Sequence, residues 1–410
     1  MDRRRFLIAG TAGSLAVLTG CGSDNGSGGA AQSTENGLAV SAGNPPTPAP
    51  PTAEPLVTLL TKGQPLADLP RLSNASATPG VFETGLVAER TRIPALEGTT
   101  TEFWTYNGAV PGPMIEVYEG DTVRVRVDNR LPQETTVHWH GLPVPSDQDG
   151  NPMDPIAPGA TRLYEYTLPE GSAGTYWYHP HPHGHTAEQV FRGMAGVFIV
   201  RSRTDPVPAG IEDKTLIISD LRLDSDGVIP ANTPVDLQNG REGNYVLVNG
   251  RLQPVLTMNP GQTQRWRILN ATSARYLRLA LEGHTMTLIG TDGGLLQTPQ
   301  PGLDEILLAP AERVEVIVTA ALSAGESAEL SSLRYDRGIM GMTHTAPATI
   351  PLLTVRYAST PVSPVALPSR LTTIKDLGRA TATKRLVFTS GMGMGMGGMM
   401  RFLIDGKSFD

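Results

Sequence analysis

The sequence predicts an all-β protein assembled from repeated domains, and three observations carry that prediction. Glycine (45) and proline (35) make up about a fifth of the 410 residues, a turn-dense composition. Segments of period two, such as Thr-Val-Arg-Val-Arg-Val at 122–127 and Arg-Val-Glu-Val-Ile-Val at 313–318, recur between Gly, Pro and Asn, as strands do. No amphipathic helix of three or more turns is visible. The third observation is a repeat. Asn107-Gly108 leads into Gly120-Asp-Thr-Val-Arg-Val-Arg-Val-Asp-Asn129, and Asn249-Gly250 leads into Gly261-Gln-Thr-Gln-Arg-Trp-Arg-Ile-Leu-Asn270. Both copies read Gly-x-Thr-x-Arg-x-Arg-[apolar]-x-Asn, and they lie a full domain apart. A third copy opens at Asp405-Gly406, with only Lys407 to Asp410 after it, so the sequence reads as a fragment ending early in a third domain.

Charge and cysteine usage exclude several classes. Lys+Arg (33) against Asp+Glu (40) gives a formal net charge of −7, with no basic patch beyond the N-terminus, which argues against nucleic-acid binding. A single cysteine excludes intramolecular disulfides and any site built on two thiolates.

In chain order, residues 1–21 read as an address. Arg3-Arg4-Arg5-Phe6-Leu7 and the short apolar run to Leu18 resemble a twin-arginine (Tat) export signal, and Leu18-Thr19-Gly20-Cys21 resembles a lipobox with Cys21 as the lipidated residue. That predicts an exported, periplasmic or extracytoplasmic protein, anchored to the membrane by lipid at Cys21. Residues 22–79 form a Gly/Ser-rich, then Pro-rich tether and lead-in. Residues 80–203 and 209–358 are the two full β domains, of a size that suits Greek-key sandwiches or barrels. A linker at 359–381 precedes residues 382–410, a Met-rich segment and the opening of the third domain.

Six of the eight histidines fall between residues 138 and 185. His138-Trp139-His140-Gly141 is one cluster, and Trp177-Tyr178-His179-Pro180-His181-Pro182-His183-Gly184-His185 the other. Alternate side chains share one face of a strand, so each His-x-His pair projects two imidazoles together. Two such pairs in one β domain can converge on a shared metal, and imidazole suits copper, zinc or iron. His183 and His185 read as rim residues; His284 and His344 receive no role. A zinc hydrolase is disfavoured, because no His-Glu-x-x-His pattern occurs.

His-Trp-His-Gly followed by Trp-Tyr-His-Pro-His-x-His-Gly resembles the first two copper motifs of three-domain multicopper oxidases, most closely the bacterial copper-efflux cuprous oxidases and laccase-like enzymes. Residues 265–270 and 291–296 extend the likeness into the second domain. The resemblance implies tandem cupredoxin-like domains, His138 as a type 2 copper ligand, and His140, His179 and His181 as type 3 ligands in a trinuclear cluster. It implies one-electron oxidation of Cu(I) or phenolic compounds coupled to reduction of O2 to water. Asp149 matches an acidic proton relay in the copper-efflux relatives, although Asp149-Gly150 also suits a plain tight turn. Met392, Met394, Met396, Met399 and Met400 match a Met-rich insertion whose thioethers would take Cu(I); a flexible Gly-rich loop accounts for them equally. The family's type 1 copper needs a Cys thiolate from the third domain, and Tyr178 and His179 stand where the first domain would need one. These 410 residues alone are therefore expected to be inactive. The alternative is a non-enzymatic exported copper-binding or scaffold protein on the same fold.

Overall fold

Alternating apolar residues become the inner faces of two β-sandwiches. A computed structural model describes residues 58–338, 348–392 and 400–407. Within Pro55–Gly378, which forms one unit, the first sandwich comprises β1 (Val81–Pro94), β2 (Thr100–Tyr106), β3 (Gly112–Tyr118), β4 (Thr122–Asn129), β5 (His138–His140), β6 (Thr161–Thr167), β7 (Gly174–His179), the short helix α1 (Thr186–Phe191) and β8 (Gly196–Arg201). Its sheets run β2-β1-β4-β6 and β3-β8-β7-β5. The second comprises β9 (Glu212–Leu221), α2 (Pro234–Asn239), β10 (Tyr245–Val248), β11 (Arg251–Leu252), β12 (Val255–Met258), β13 (Thr263–Asn270), β14 (Leu277–Leu281), β15 (Met286–Thr291), β16 (Gly294–Leu303), β17 (Ile306–Leu308), β18 (Arg313–Thr319), β19 (Ser327–Leu333) and β20 (Ile350–Tyr357). Its sheets run β11-β10-β9-β13-β18-β15-β16 and β12-β20-β19-β14-β17.

The repeat in the sequence is a repeat of topology. β1 lies parallel to β4, and β3 to β8; likewise β9 lies parallel to β13, and β12 to β20. The repeated Asn-Gly pairs are left-handed turns, with φ of 53° and 72° at Asn107 and Gly108 and 49° and 75° at Asn249 and Gly250. Asn107 accepts the Val87 N–H at 2.6 Å, and Asn249 accepts the Ile217 N–H at 2.8 Å, so each turn is stitched to the strand beside it. The closing asparagines are equally matched. Asn129 donates to the carbonyls of Gln133 and Ile156, and Asn270 to those of Arg275 and Leu308.

Leu86, Val123, Val125, Val127 and Trp139 fill the space between the first pair of sheets; Leu216, Trp266, Ile268, Val316 and Leu330 fill the second. A third cluster joins the sandwiches, with Met114, Trp177, Val197 and Ile199 packed against Ile217, Leu269 and Ala271. Beside it lies an ionic seam. Fully buried Glu315 receives Arg265 and Arg267, and Thr175 of β7 donates to Glu315 Oε1 at 2.6 Å while accepting from Arg267 Nη1 at 2.9 Å. Arg201 of β8 pairs with Asp213 of β9 across the same boundary.

Part of the lead-in also packs. The Leu66 N–H donates to Val255 O at 2.8 Å and the Met114 N–H to Pro70 O at 2.6 Å, so residues 58–72 run across both sandwiches. Leu371 of the linker is buried with Val207, Ile211, Ile289 and Ile317. In a separate unit, β21 (Phe388–Met392) and β22 (Met400–Ile404) pair antiparallel, and β22 runs into an Asp405-Gly406 turn with φ of 51° and 74°, Asp405 accepting the Val387 N–H at 2.9 Å. It is the Asn-Gly device once more. Among the described residues, no helix is long and apolar enough to cross a membrane.

Candidate metal centre

β5 and β7 pair antiparallel with His138 opposite His179, Trp139 opposite Tyr178 and His140 opposite Trp177. The alternation sends Trp139 and Tyr178 inward. Trp139 is fully buried among Tyr164, Tyr166, Tyr178 and Phe198, with ring centroids 5.6–6.1 Å away. His138, His140, Trp177 and His179 are left on the face turned towards the second sandwich, where Trp177 lies 5.1 Å from the His140 ring and 4.2 Å from the His179 ring. An aromatic floor thus fixes the backbone from below, and a tryptophan braces two imidazoles from the side.

Backbone carbonyls fix the ring orientations. His138 Nδ1 lies 2.9 Å from Asp149 O, and His179 Nδ1 lies 2.9 Å from Pro180 O. A carbonyl only accepts, so each Nδ1 carries the proton and each Nε2 keeps its lone pair, the usual outer support of a metal-binding histidine. His140 Nδ1 faces His179 Nε2 at 3.1 Å. One nitrogen each from His138, His140 and His179 lie within 4.8 Å of one another. His181 stands beside them, its ring 5.3 Å from that of His138 and 5.9 Å from that of His179, and its backbone N–H donates to Thr136 Oγ1 at 2.9 Å. Its Nδ1 is buried without a hydrogen-bond partner.

Electrostatics keep two of these rings, His140 and His179, neutral. Burial first, then the charges of Arg313, His138 and His181, push His140 down to about 4. Burial holds His179 well below the ordinary imidazole range, with its bond to Pro180 opposing and the other three histidines reinforcing. A neutral imidazole keeps one N–H and one free lone pair, so neither ring has to lose a proton before that lone pair binds a metal. The donor set of ring nitrogens, with one orphaned buried Nδ1 beside it, fits a copper-type ion.

Asp149 sits directly behind His138. Its Oδ1 lies 3.2 Å from His138 Nδ1, but the single N–H there serves the Asp149 carbonyl at 2.9 Å, and Oδ1 stays buried without a hydrogen bond. Burial raises this carboxyl despite the opposing influence of His138. The tight turn is real as well: Gly150 has a φ of 66°, and a Cβ there would fall 2.0 Å from Val137 O. Turn and carboxylate coexist.

The remaining candidates lie elsewhere. His183 is exposed, and His185 precedes α1 without a side-chain capping bond. His284 is a structural residue of the second sandwich, bonded to Glu282 O at 2.6 Å, Tyr357 Oη at 2.6 Å and the Ala321 N–H at 3.1 Å. Met392 and Met400 are register partners in the β21–β22 pair. Cys21, His344, Met394, Met396 and Met399 fall outside the described residues. Sequence reasoning missed Arg313, which opens an alternating strand and gives no local sign of reaching another domain.

Two cupredoxin-like sandwiches in tandem, the first bearing paired His-x-His strands, define a copper-type metalloprotein. Family models described as multicopper oxidase match residues 87–205 and 213–327. A multicopper oxidase from Campylobacter jejuni, a metallo-oxidase, is 40% identical, with a TM-score of 0.79 over 87% of this chain and 78% of that one. Multicopper oxidase mco of Staphylococcus haemolyticus is 37% identical over 55% of this chain and 50% of its own length. Cell division protein FtsP of Escherichia coli is 32% identical over 75% of this chain and 66% of its own length. The chain belongs to the multicopper oxidase family. It spans about half the length of the first curated relatives it matches.

Proposed function

We propose that the protein is an exported oxidoreductase that couples one-electron oxidation of a small reductant, Cu(I) or a phenol, to reduction of O2 to water. The observation that supports this most is the triad of ring nitrogens from His138, His140 and His179 within 4.8 Å. Copper held there would supply the redox chemistry, with His138 as the type 2 ligand and His140, His179 and His181 as type 3 ligands. The chain's own contribution is to keep His140 and His179 neutral, to orient His138 and His179 through backbone carbonyls, and to hold Asp149 as a proton store beside His138. Reduction of O2 consumes protons, and a carboxyl raised by burial keeps its proton to higher pH than a free one, so it has one to give closer to neutrality. The Met-rich segment from Met392 to Met400 would capture Cu(I), and the Cys21 lipid would tether the protein to the membrane.

The test is copper loading and oxygen consumption. These 410 residues hold one cysteine, Cys21, so on their own they are expected to bind copper without blue absorption or phenol or Cu(I) oxidation. Robust turnover by the purified chain would overturn the placement of the type 1 copper in the third domain, whereas failure to bind copper would overturn the oxidoreductase reading. The similarity to FtsP supports a second reading, a copper-binding or scaffold protein without turnover. A cellular role that survives His138→Ala with His140→Ala would favour it. For the anchor, wild type and Cys21→Ala should part in detergent phase separation; equal aqueous partitioning would leave a plain cleaved signal.

A further inference from the structure

Arg313 of the second sandwich reaches the strands that carry the histidines. Arg313, at the start of β18, is only 3% exposed. Its Nε donates to the backbone carbonyl of Thr175 on β7 at 3.0 Å. Its Nη1 donates to Ala311 O at 3.1 Å and pairs with Asp292 Oδ1 at 2.8 Å, while Nη2 donates to Asp292 O at 3.1 Å. The guanidinium is thereby locked in the second sandwich and tied to the strand that ends in His179. Its free edge faces Gly141, the residue after His140: a Cβ there would fall 2.6 Å from Nη2 and 3.2 Å from Tyr176 Cδ1. Glycine is required on both counts, because φ there is also 87°.

We propose that Arg313 is a positioning residue of the metal centre, a fork from the second sandwich that sets the separation of β5 and β7 where they carry His140 and His179. β5 is only three residues long and pairs with β7 alone, so few ladder bonds fix the end where it leaves the sheet. A rigid planar group lies between the residue following His140 and the strand leading to His179. Four donor contacts to fixed acceptors leave it little freedom, and a lysine ammonium could not span the same acceptors. Groups that orient ligands from behind commonly change metal affinity by about 10- to 100-fold when removed.

This inference rests on the histidines being copper ligands, and its test separates the two claims. Cu(II) affinity of the full chain would be measured by chelator competition, and the copper environment by electron paramagnetic resonance. The variants are Arg313→Gln, Arg313→Lys and Arg201→Gln, which severs another ion pair between the sandwiches without approaching the histidines. Arg313→Gln is expected to weaken binding about 10- to 100-fold and broaden the nitrogen hyperfine pattern. Arg313→Lys, which keeps the charge, should recover only part of that and carries the test if Arg313→Gln does not fold. Arg201→Gln should bind as wild type does. Wild-type affinity and spectrum in both Arg313 variants would overturn the proposal, and so would an equal loss in Arg201→Gln, since the effect would then be loosening of the interface. A wild type that binds no copper would overturn the metal reading and this one with it.

Discussion

At the scale of single residues, the centre depends on histidines kept neutral in a partly dry place. The metal-free protein should show that in its pH dependence. An unfolded imidazole titrates near 6.5, whereas His140 is pushed to about 4 and His179 lies well below its ordinary range. The unfolded chain therefore binds more protons than the folded one across that window. Stability is full above about 6.5 and is lost as pH falls towards 4. Thermal melts from pH 7 to pH 4.5 should decline steeply for wild type and more gently for His179→Gln. Parallel curves would show that these rings titrate normally. Asp149→Asn leaves the Asp149 carbonyl in place to hold His138, so copper affinity should stay within a few-fold of wild type while oxygen reduction, where it occurs, slows most at high pH.

At the scale of elements, β5 works because its middle residue anchors it. Trp139→Ala would open a large void under the floor of the site and should cost about 3–5 kcal/mol, read by denaturant unfolding. Copper affinity should fall with it. A fully stable Trp139→Ala protein would contradict the packing described for Trp139. The alternation around Trp139 was legible in the sequence, as were both His-x-His pairs and the Asn-Gly turns, because each is a local pattern with a local cause. The antiparallel register that sets His138 opposite His179 was not, since register is a long-range choice made by the core. The packing of residues 58–72 and of Leu371 was hidden for the same reason: a Pro-rich segment carries no periodicity that says which groove it will line.

At the scale of the whole unit, the second sandwich completes the first. Glu315 is fully buried, and although burial favours its neutral form, Arg267 and Arg265 outweigh that and keep it ionised. Glu315→Gln would leave the buried guanidinium groups of Arg265 and Arg267 to Asp213 and Asp205 alone and should destabilise the protein by up to about 3 kcal/mol, measured by chemical denaturation. An unchanged midpoint would mean the seam contributes nothing to joining the sandwiches. The fold thus places the histidine-bearing face of one sandwich against a charged neighbour, and the histidines acquire their setting from both. The most direct test of that centre is an anomalous-difference map at the copper edge from copper-soaked crystals of the full chain. The account predicts copper about 2 Å from ring nitrogens of His138, His140 and His179, with His181 turned to the same ion group. Copper bound at other sites, with no peak among these histidines, would contradict it.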